Sequence, residues 1–150
     1  MPDSVTDTPS IEGLAADCAA AARELSTLST DKKNRVLRRM ADELEASADA
    51  ILDANETDMK AGRDEGLSDA LLDRLLLTPE RIEKMADALR DVASFSDPVG
   101  EMSGTRKRPS GIEVAKMRIP LGVIGMIYEA RPNVTADAAG LCFKAGNAVL

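Results

Sequence analysis

Three polar side chains that could do chemistry lie close together in the sequence: Glu129, Arg131 and Asn133. They follow an apolar run, 121–127, and precede a helical pattern. Open α/β sheets bind ligands at the carboxyl ends of their strands, where a strand gives way to a helix. Segment 128–135, which we refer to as the site turn, is therefore the candidate functional site.

The site turn offers hydrogen-bond donors and a cation. Asn133 has an amide N–H next to a helix N-terminus, where it could stabilise negative charge developing on a carbonyl oxygen. Asn is also a common N-cap, so the residue alone leaves both roles open. Arg131 could bind a carboxylate or phosphate bidentately, or pair locally with Glu129 or Asp137. Pro132 biases Arg131 toward an extended backbone.

The composition restricts the chemistry available to the 150 residues. There is no His, which removes the commonest general base and any Ser-His or Cys-His arrangement within the chain. The two cysteines, Cys18 and Cys142, are far apart and each lies within an apolar helical pattern. We expect two buried free thiols and no metal site.

The net charge of −7 is unevenly distributed. Residues 1–100 carry 12 basic and 22 acidic side chains, whereas residues 101–150 carry 7 basic and 4 acidic ones. The acidic excess of residues 1–100 argues against binding to nucleic acid. The mildly basic residues 101–150 could bind a small anionic ligand or form an ordinary solvated surface. The N-terminus is polar and no apolar run reaches the roughly 18 residues of a membrane span. We expect a cytoplasmic protein without membrane contact.

Helical spacing of apolar residues predicts four or five helices within 9–96. The apolar side chains of these helices are predicted to form core, and we expect Asn55 to interrupt the second helix. The predicted N-caps are Thr8 (followed by Pro9), Ser29, Ser68 and Thr78.

Strand patterns follow the helices. Segment 99–119 alternates after a run of turn residues, which predicts a two-stranded ribbon. Such a ribbon is marginal alone and needs a partner. The run 121–127 lacks alternation and predicts a strand buried on both faces, with Gly122 and Gly125 allowing close packing.

A helix over 134–144 and a strand from 148 complete a strand–helix–strand crossover. The predicted class is α/β, with a helical region, 1–98, a ribbon, 99–119, and the start of a parallel sheet, 120–150. Two parallel strands would leave open edges and bare faces, so we expect a truncated piece of a longer protein.

The site turn and its flanks resemble the gamma-glutamyl phosphate reductase family of the aldehyde dehydrogenase superfamily. The resemblance rests on the segments 119–135 (IPLGVIGMIYEARPNVT) and 144–150 (KAGNAVL). It extends upstream through 33–37, 41–45, 66–68, 72–75 and 77–79. It implies an aldehyde dehydrogenase-like fold in which 1–98 is the helical part of the cofactor domain. Segment 120–150 would then begin a Rossmann-like NADP-binding domain.

The resemblance also implies an activity and a set of roles. The activity is NADPH-dependent reduction of L-glutamate 5-phosphate to L-glutamate 5-semialdehyde and phosphate, in L-proline biosynthesis. Asn133 would help to form the oxyanion hole, and the backbone of Ala130, Arg131 and Pro132, with Asn133, would line the nicotinamide side of the cofactor pocket. Arg131 as a ligand for the substrate is our own hypothesis. Segment 101–119 resembles an oligomerisation ribbon and implies a homo-oligomer.

One departure limits the resemblance. The family's nucleophilic cysteine lies downstream of residue 150, and neither Cys18 nor Cys142 matches it. The chain alone is therefore expected to be inactive. Two alternatives remain: an acidic, non-enzymatic helical interaction module, and an aldehyde dehydrogenase relative that acts on a plain aldehyde. Aldehyde dehydrogenases that act on plain aldehydes usually carry Pro-Trp-Asn where this chain has Arg131-Pro132-Asn133.

Overall fold

The computed structural model describes residues 10–129 and 131–150, which form six helices and four short strands. The α/β class is confirmed. In chain order the elements are α1 (Ile11–Leu25), α2 (Thr30–Ala46), α3 (Ala48–Asp64), α4 (Asp69–Leu75), α5 (Pro79–Ser94), β1 (Met102–Lys107), β2 (Glu113–Met117), β3 (Val123–Ile124), α6 (Pro132–Lys144) and β4 (Ala148–Val149).

Side-chain caps start most of the early helices. Ser29 and Thr78 cap α2 and α5 as predicted, each accepting a hydrogen bond from a backbone N–H in the first turn. Ser68 precedes α4, but its side chain makes no such bond. The start of α1 is capped by Ser10; the predicted cap Thr8, with Pro9, lies outside the described residues.

The predicted interruption at Asn55 is wrong. The break falls at Ser47, between α2 and α3, and α3 runs through Asn55 without interruption. The Asn55 side chain is buried and turned away from its own backbone: its Nδ2 donates to the carbonyl of Leu75 at 2.9 Å, and its Oδ1 accepts from the N–H of Leu77 at 2.7 Å. Because these distant groups form hydrogen bonds with the side-chain amide, the amide does not compete for the backbone hydrogen bonds of α3.

The core lies between α2, α5 and α6. Gly140 of α6 allows close approach to α5, because an added Cβ would lie 2.5 Å from a Leu89 methyl group. The residues buried together are Leu37, Ala41, Ala86, Leu89, Val92 and Ala93, with Phe143 of α6 packed against them.

Two lysines are buried where α2, α5 and α6 meet. The Lys33 ammonium lies 2.5 Å from a carboxylate oxygen of Asp97 and donates to the Lys144 carbonyl at 3.1 Å. The Lys144 ammonium donates to Asn34 Oδ1 at 2.6 Å and to the Ala93 carbonyl at 3.1 Å. This lysine cluster joins the end of α6 to the other two helices.

The lysine cluster shifts two pKa values. Burial works to raise the pKa of Asp97, but hydrogen bonds from Lys33, the Val99 N–H and Thr30 outweigh it, so that pKa lies below its ordinary value. Burial lowers the pKa of Lys144. The charged carboxylate is thus stabilised by the folded protein.

The predicted ribbon is present: β1 and β2 pair antiparallel, Met102 opposite Met117, and β1 is exposed throughout. The strand–helix–strand crossover is also present, with β3 and β4 paired in parallel. The crossover helix α6 starts at Pro132, two residues earlier than expected.

The prediction that 121–127 is buried on both faces is wrong. Only Val123 and Ile124 form strand, and Leu121 is 84% exposed. Within the described residues β3 pairs with β4 alone and packs on α1, so much of the run has no covering layer. Close packing at Gly122 and Gly125 is wrong too, because nothing lies within 4 Å of an added Cβ; Gly122 instead adopts a φ of +108°.

Candidate active site

The site turn connects β3 to α6. Arg131 occupies the N-cap position of α6 with φ −142° and ψ 80°, outside the helical region, as expected for a residue before proline. Pro132 begins the helix and Asn133 follows within its first turn. The N-cap role considered for Asn133 is therefore wrong. The site residue Ala130 lies outside the described residues.

The Asn133 side chain is exposed and makes one defined contact. Its Nδ2 donates to Asp137 Oδ2 at 3.0 Å, one helical turn further along α6. The site turn is closed by a second side-chain pair, because the Tyr128 hydroxyl lies 2.5 Å from the Thr135 hydroxyl. The Tyr128 contact ties the start of the turn to α6, whereas the Asn133 contact lies within the helix.

A cleft of about 490 Å³ opens beside the site turn. Arg131, Pro132, Asn133 and Asp137 form one wall, and the end of α4 and the start of α5 form the other. Its charged lining residues are Arg74, Arg81, Lys84, Arg131, Asp73 and Asp137, which is four basic against two acidic groups. A net positive cleft in a chain of net charge −7 suits an anionic ligand.

The cations of the cleft differ in what they contact. Arg81 is held by Asp73, with its Nη2 2.8 Å from the carboxylate, and it also donates to the Leu76 carbonyl at 2.7 Å. Across residues 10–129 and 131–150, the exposed side chains of Arg74, Lys84 and Arg131 take part in no ion pair. The local ion pair considered for Arg131 is therefore wrong.

Neither cysteine is placed to attack a carbonyl near Asn133. Cys142 is nine residues further along α6, which is about 13 Å at the helical rise. Its thiol is buried, and burial raises its pKa, so little thiolate forms. Cys18 is only partly buried, against the expectation of two buried thiols, and its Sγ lies 3.6 Å from the Val149 carbonyl oxygen of β4.

The described part of the chain holds no cluster of three His, Cys, Asp or Glu side chains suited to a metal ion. None of its helices has the length and apolarity needed to cross a bilayer.

Sequence reasoning missed one wall of the cleft. Arg74 belongs to α4, and Arg81 and Lys84 belong to α5; no motif in the sequence drew attention to them. Segment 69–84 holds three basic and four acidic side chains, so its charge does not single out this wall of the cleft. The contact between Asn133 and Asp137 was available from their spacing of four residues in a helix.

Solved structures of two reductases are similar to this fold. The gamma-glutamyl phosphate reductase of Thermotoga maritima matches with a TM-score of 0.84 at 37% identity, over 90% of this chain and 33% of that one. The enzyme of the same name from Saccharomyces cerevisiae gives 0.86 at 34% identity, over 95% and 36%. The described residues thus have the fold of one part of these α/β reductases.

Sequence relatives agree with the structures. Gamma-glutamyl phosphate reductase of Salinibacter ruber is 77% identical over all 150 residues, and that of Xylella fastidiosa strain 9a5c is 56% identical over 140 residues. The chain spans about a third of the length of these curated relatives, 34% in both cases. No protein-family model matches the chain. The chain is a relative of gamma-glutamyl phosphate reductases, which confirms the resemblance.

Proposed function

We propose that the protein is an NADPH-dependent reductase that converts L-glutamate 5-phosphate to L-glutamate 5-semialdehyde and phosphate, a step of L-proline biosynthesis. The observation that carries the proposal is 77% identity over the whole chain to a gamma-glutamyl phosphate reductase. The activity belongs to a polypeptide of the relatives' full length, referred to below as the full-length enzyme, of which the chain supplies about a third.

Asn133 is the catalytic residue that the chain contributes. Its amide lies at the N-terminal end of α6 and faces the cleft, so an N–H can meet a carbonyl oxygen that becomes negatively charged. Donors fixed in advance at that place stabilise the transition state more than the ground state. The first turn of a helix adds a partial positive charge.

The cleft is the proposed entrance for the substrate. Glutamyl phosphate carries a phosphate and a carboxylate, and the lining residues Arg74, Lys84 and Arg131 have charged ends open to such groups. Arg131 stands beside Asn133 and is the proposed ligand for the phosphate or the carboxylate. This basic lining favours an acyl phosphate over a plain, uncharged aldehyde.

The site turn is proposed to line the nicotinamide side of the NADPH pocket through Ala130, Arg131, Pro132 and Asn133. NADPH, when bound, supplies the reducing hydride. Among the described residues, the fit rests on the crossover: β3 and β4 are parallel and α6 starts at their carboxyl edge, where this class of sheet binds cofactors. Pro132 fixes the backbone at the start of α6 and so defines this side of the pocket.

The nucleophilic cysteine is proposed to lie outside residues 1–150, so the isolated chain is inactive. The positions of Cys18 and Cys142 support this, because neither faces the cleft. The ribbon of β1 and β2 is proposed to join subunits of a homo-oligomer. Its exposed Met102, Val114 and Met117 support an interface there. In this arrangement 1–98 and 120–150 belong to the cofactor domain.

The test is a steady-state assay of the full-length enzyme, following NADPH formation from L-glutamate 5-semialdehyde, phosphate and NADP. We expect turnover that depends on phosphate, and none from residues 1–150 alone. Turnover without phosphate would favour a plain aldehyde substrate. Turnover by the isolated chain would overturn the assignment of the nucleophile.

A further inference from the structure

The bond between Asn133 and Asp137 has a defined direction. Asp137 lies four residues after Asn133 on α6, on the same face of the helix, and both line the cleft. An ionised carboxylate only accepts hydrogen bonds. The amide nitrogen of Asn133 must therefore face Asp137, and the structure places Asn133 Nδ2 3.0 Å from Asp137 Oδ2.

This contact restricts an otherwise loose group. The terminal torsion of Asn is broad and roughly two-fold, so an unrestrained amide can present either its oxygen or its nitrogen to the cleft. With one N–H held by Asp137, the second N–H has a fixed direction and the amide oxygen is turned to the other side. An amide oxygen in that place would repel a developing oxyanion.

We propose that Asp137 is a positioning residue that orients the Asn133 amide for oxyanion stabilisation. The inference rests on the proposed function. It explains why a carboxylate stands beside a site that must stabilise negative charge: the four cations of the cleft offset its charge, and its role is to fix a donor. A role in binding the substrate's ammonium group would instead act on KM.

The test compares kcat and KM in the full-length enzyme, using phosphate-dependent NADPH formation. Asp137→Ala should lower kcat about 10–100-fold, since small misplacements of a catalytic group cost up to about 10², with KM within threefold. Asp137→Asn keeps the size of the side chain but can accept or donate, so it should give a smaller loss of the same kind. Asp58→Ala, an exposed carboxylate of α3, is the matched control.

A double variant separates positioning from a general structural role. In the Asn133→Ala background, Asp137→Ala should change kcat by less than twofold, because the group that it orients is gone. The proposal is overturned if the effects of Asn133→Ala and Asp137→Ala on kcat simply multiply in the double variant. It is also overturned if Asp137→Ala and Asp137→Asn both keep kcat within threefold of the parent enzyme, or if they change only KM. If Asn133→Ala alone costs less than tenfold, the proposed role of Asn133 fails and this inference with it. If that variant costs 10² or more while the Asp137 variants lose nothing, the inference alone fails.

Discussion

Removing the carboxylate of Asp97 should destabilise the protein more than removing its partner Lys33. Lys33 is only 1% exposed, and Asp97→Ala leaves its ammonium with the Lys144 carbonyl as its remaining partner. Breaking a buried pair from one side costs about 3–5 kcal/mol. Because the Asp97 side chain is 12% exposed, we expect the lower end, about 3 kcal/mol.

The reverse change should cost less. In Lys33→Met, Asp97 keeps its bonds from Thr30 at 2.8 Å and from the Val99 N–H at 3.0 Å, and its carboxylate still reaches water. We expect a loss of about 1–2 kcal/mol, close to that of one or two ordinary hydrogen bonds. The double variant leaves no buried unpaired charge, so it should be more stable than Asp97→Ala alone.

Urea unfolding followed by circular dichroism at neutral pH measures these free energies of unfolding. Asp91→Ala removes an exposed carboxylate from α5 and is the matched control, with an expected change of less than about 0.5 kcal/mol. The reasoning is refuted if Asp97→Ala costs less than about 1 kcal/mol, or if the effects of the two single variants simply add.

Three further predictions concern the same fold and site. Asn55→Ala leaves the buried N–H of Leu77 and the partly buried carbonyl of Leu75 without this partner, and it should cost about 2–4 kcal/mol in urea unfolding. Glu56→Ala removes an exposed side chain and is the control; a loss below about 1 kcal/mol for Asn55→Ala would contradict the prediction. Arg131→Ala in the full-length enzyme should raise KM for phosphate or for the semialdehyde about 10–100-fold, as expected for the loss of a charged hydrogen bond, while kcat changes less than threefold. Arg35→Ala is the control and should change neither KM nor kcat. An unaltered KM in Arg131→Ala would show that Arg131 does not bind the substrate. The pKa of Asp97 is lowered in the folded protein, so its carboxylate stabilises the fold fully above the ordinary Asp pKa of about 3.9. This stabilisation disappears as pH falls through the folded pKa. The difference in free energy of unfolding between the parent protein and Asp97→Asn should therefore shrink in acid, and a difference that grows would contradict the direction of the pKa shift.

The features predicted correctly from sequence depend on neighbours in the chain. Ser29 and Thr78 cap helices because their hydroxyls bond to N–H groups three residues away. The ribbon and the crossover follow from alternation, from an apolar run and from turn residues. The same local reasoning brought attention to the site turn, which lies at the mouth of the cleft.

The features that sequence reasoning missed depend on distant partners. Asn55 bonds to groups 20 and 22 residues further along the chain, so its amide looked like a helix breaker. Lys33 lies four residues before Leu37 and so on the same helix face, but its burial requires Asp97 from another part of the chain. The burial of 121–127 was overestimated for the same reason, because it depends on which elements cover the strand.

The central claim is that Asn133 stabilises the oxyanion of a reductase, and kcat of Asn133→Ala in the full-length enzyme tests it most directly. Loss of one oxyanion-hole donor lowers kcat roughly 10²–10³-fold, and we expect that loss in phosphate-dependent NADPH formation. A loss of less than tenfold would contradict the claim and leave Asn133 as a residue of the first helical turn without a catalytic role.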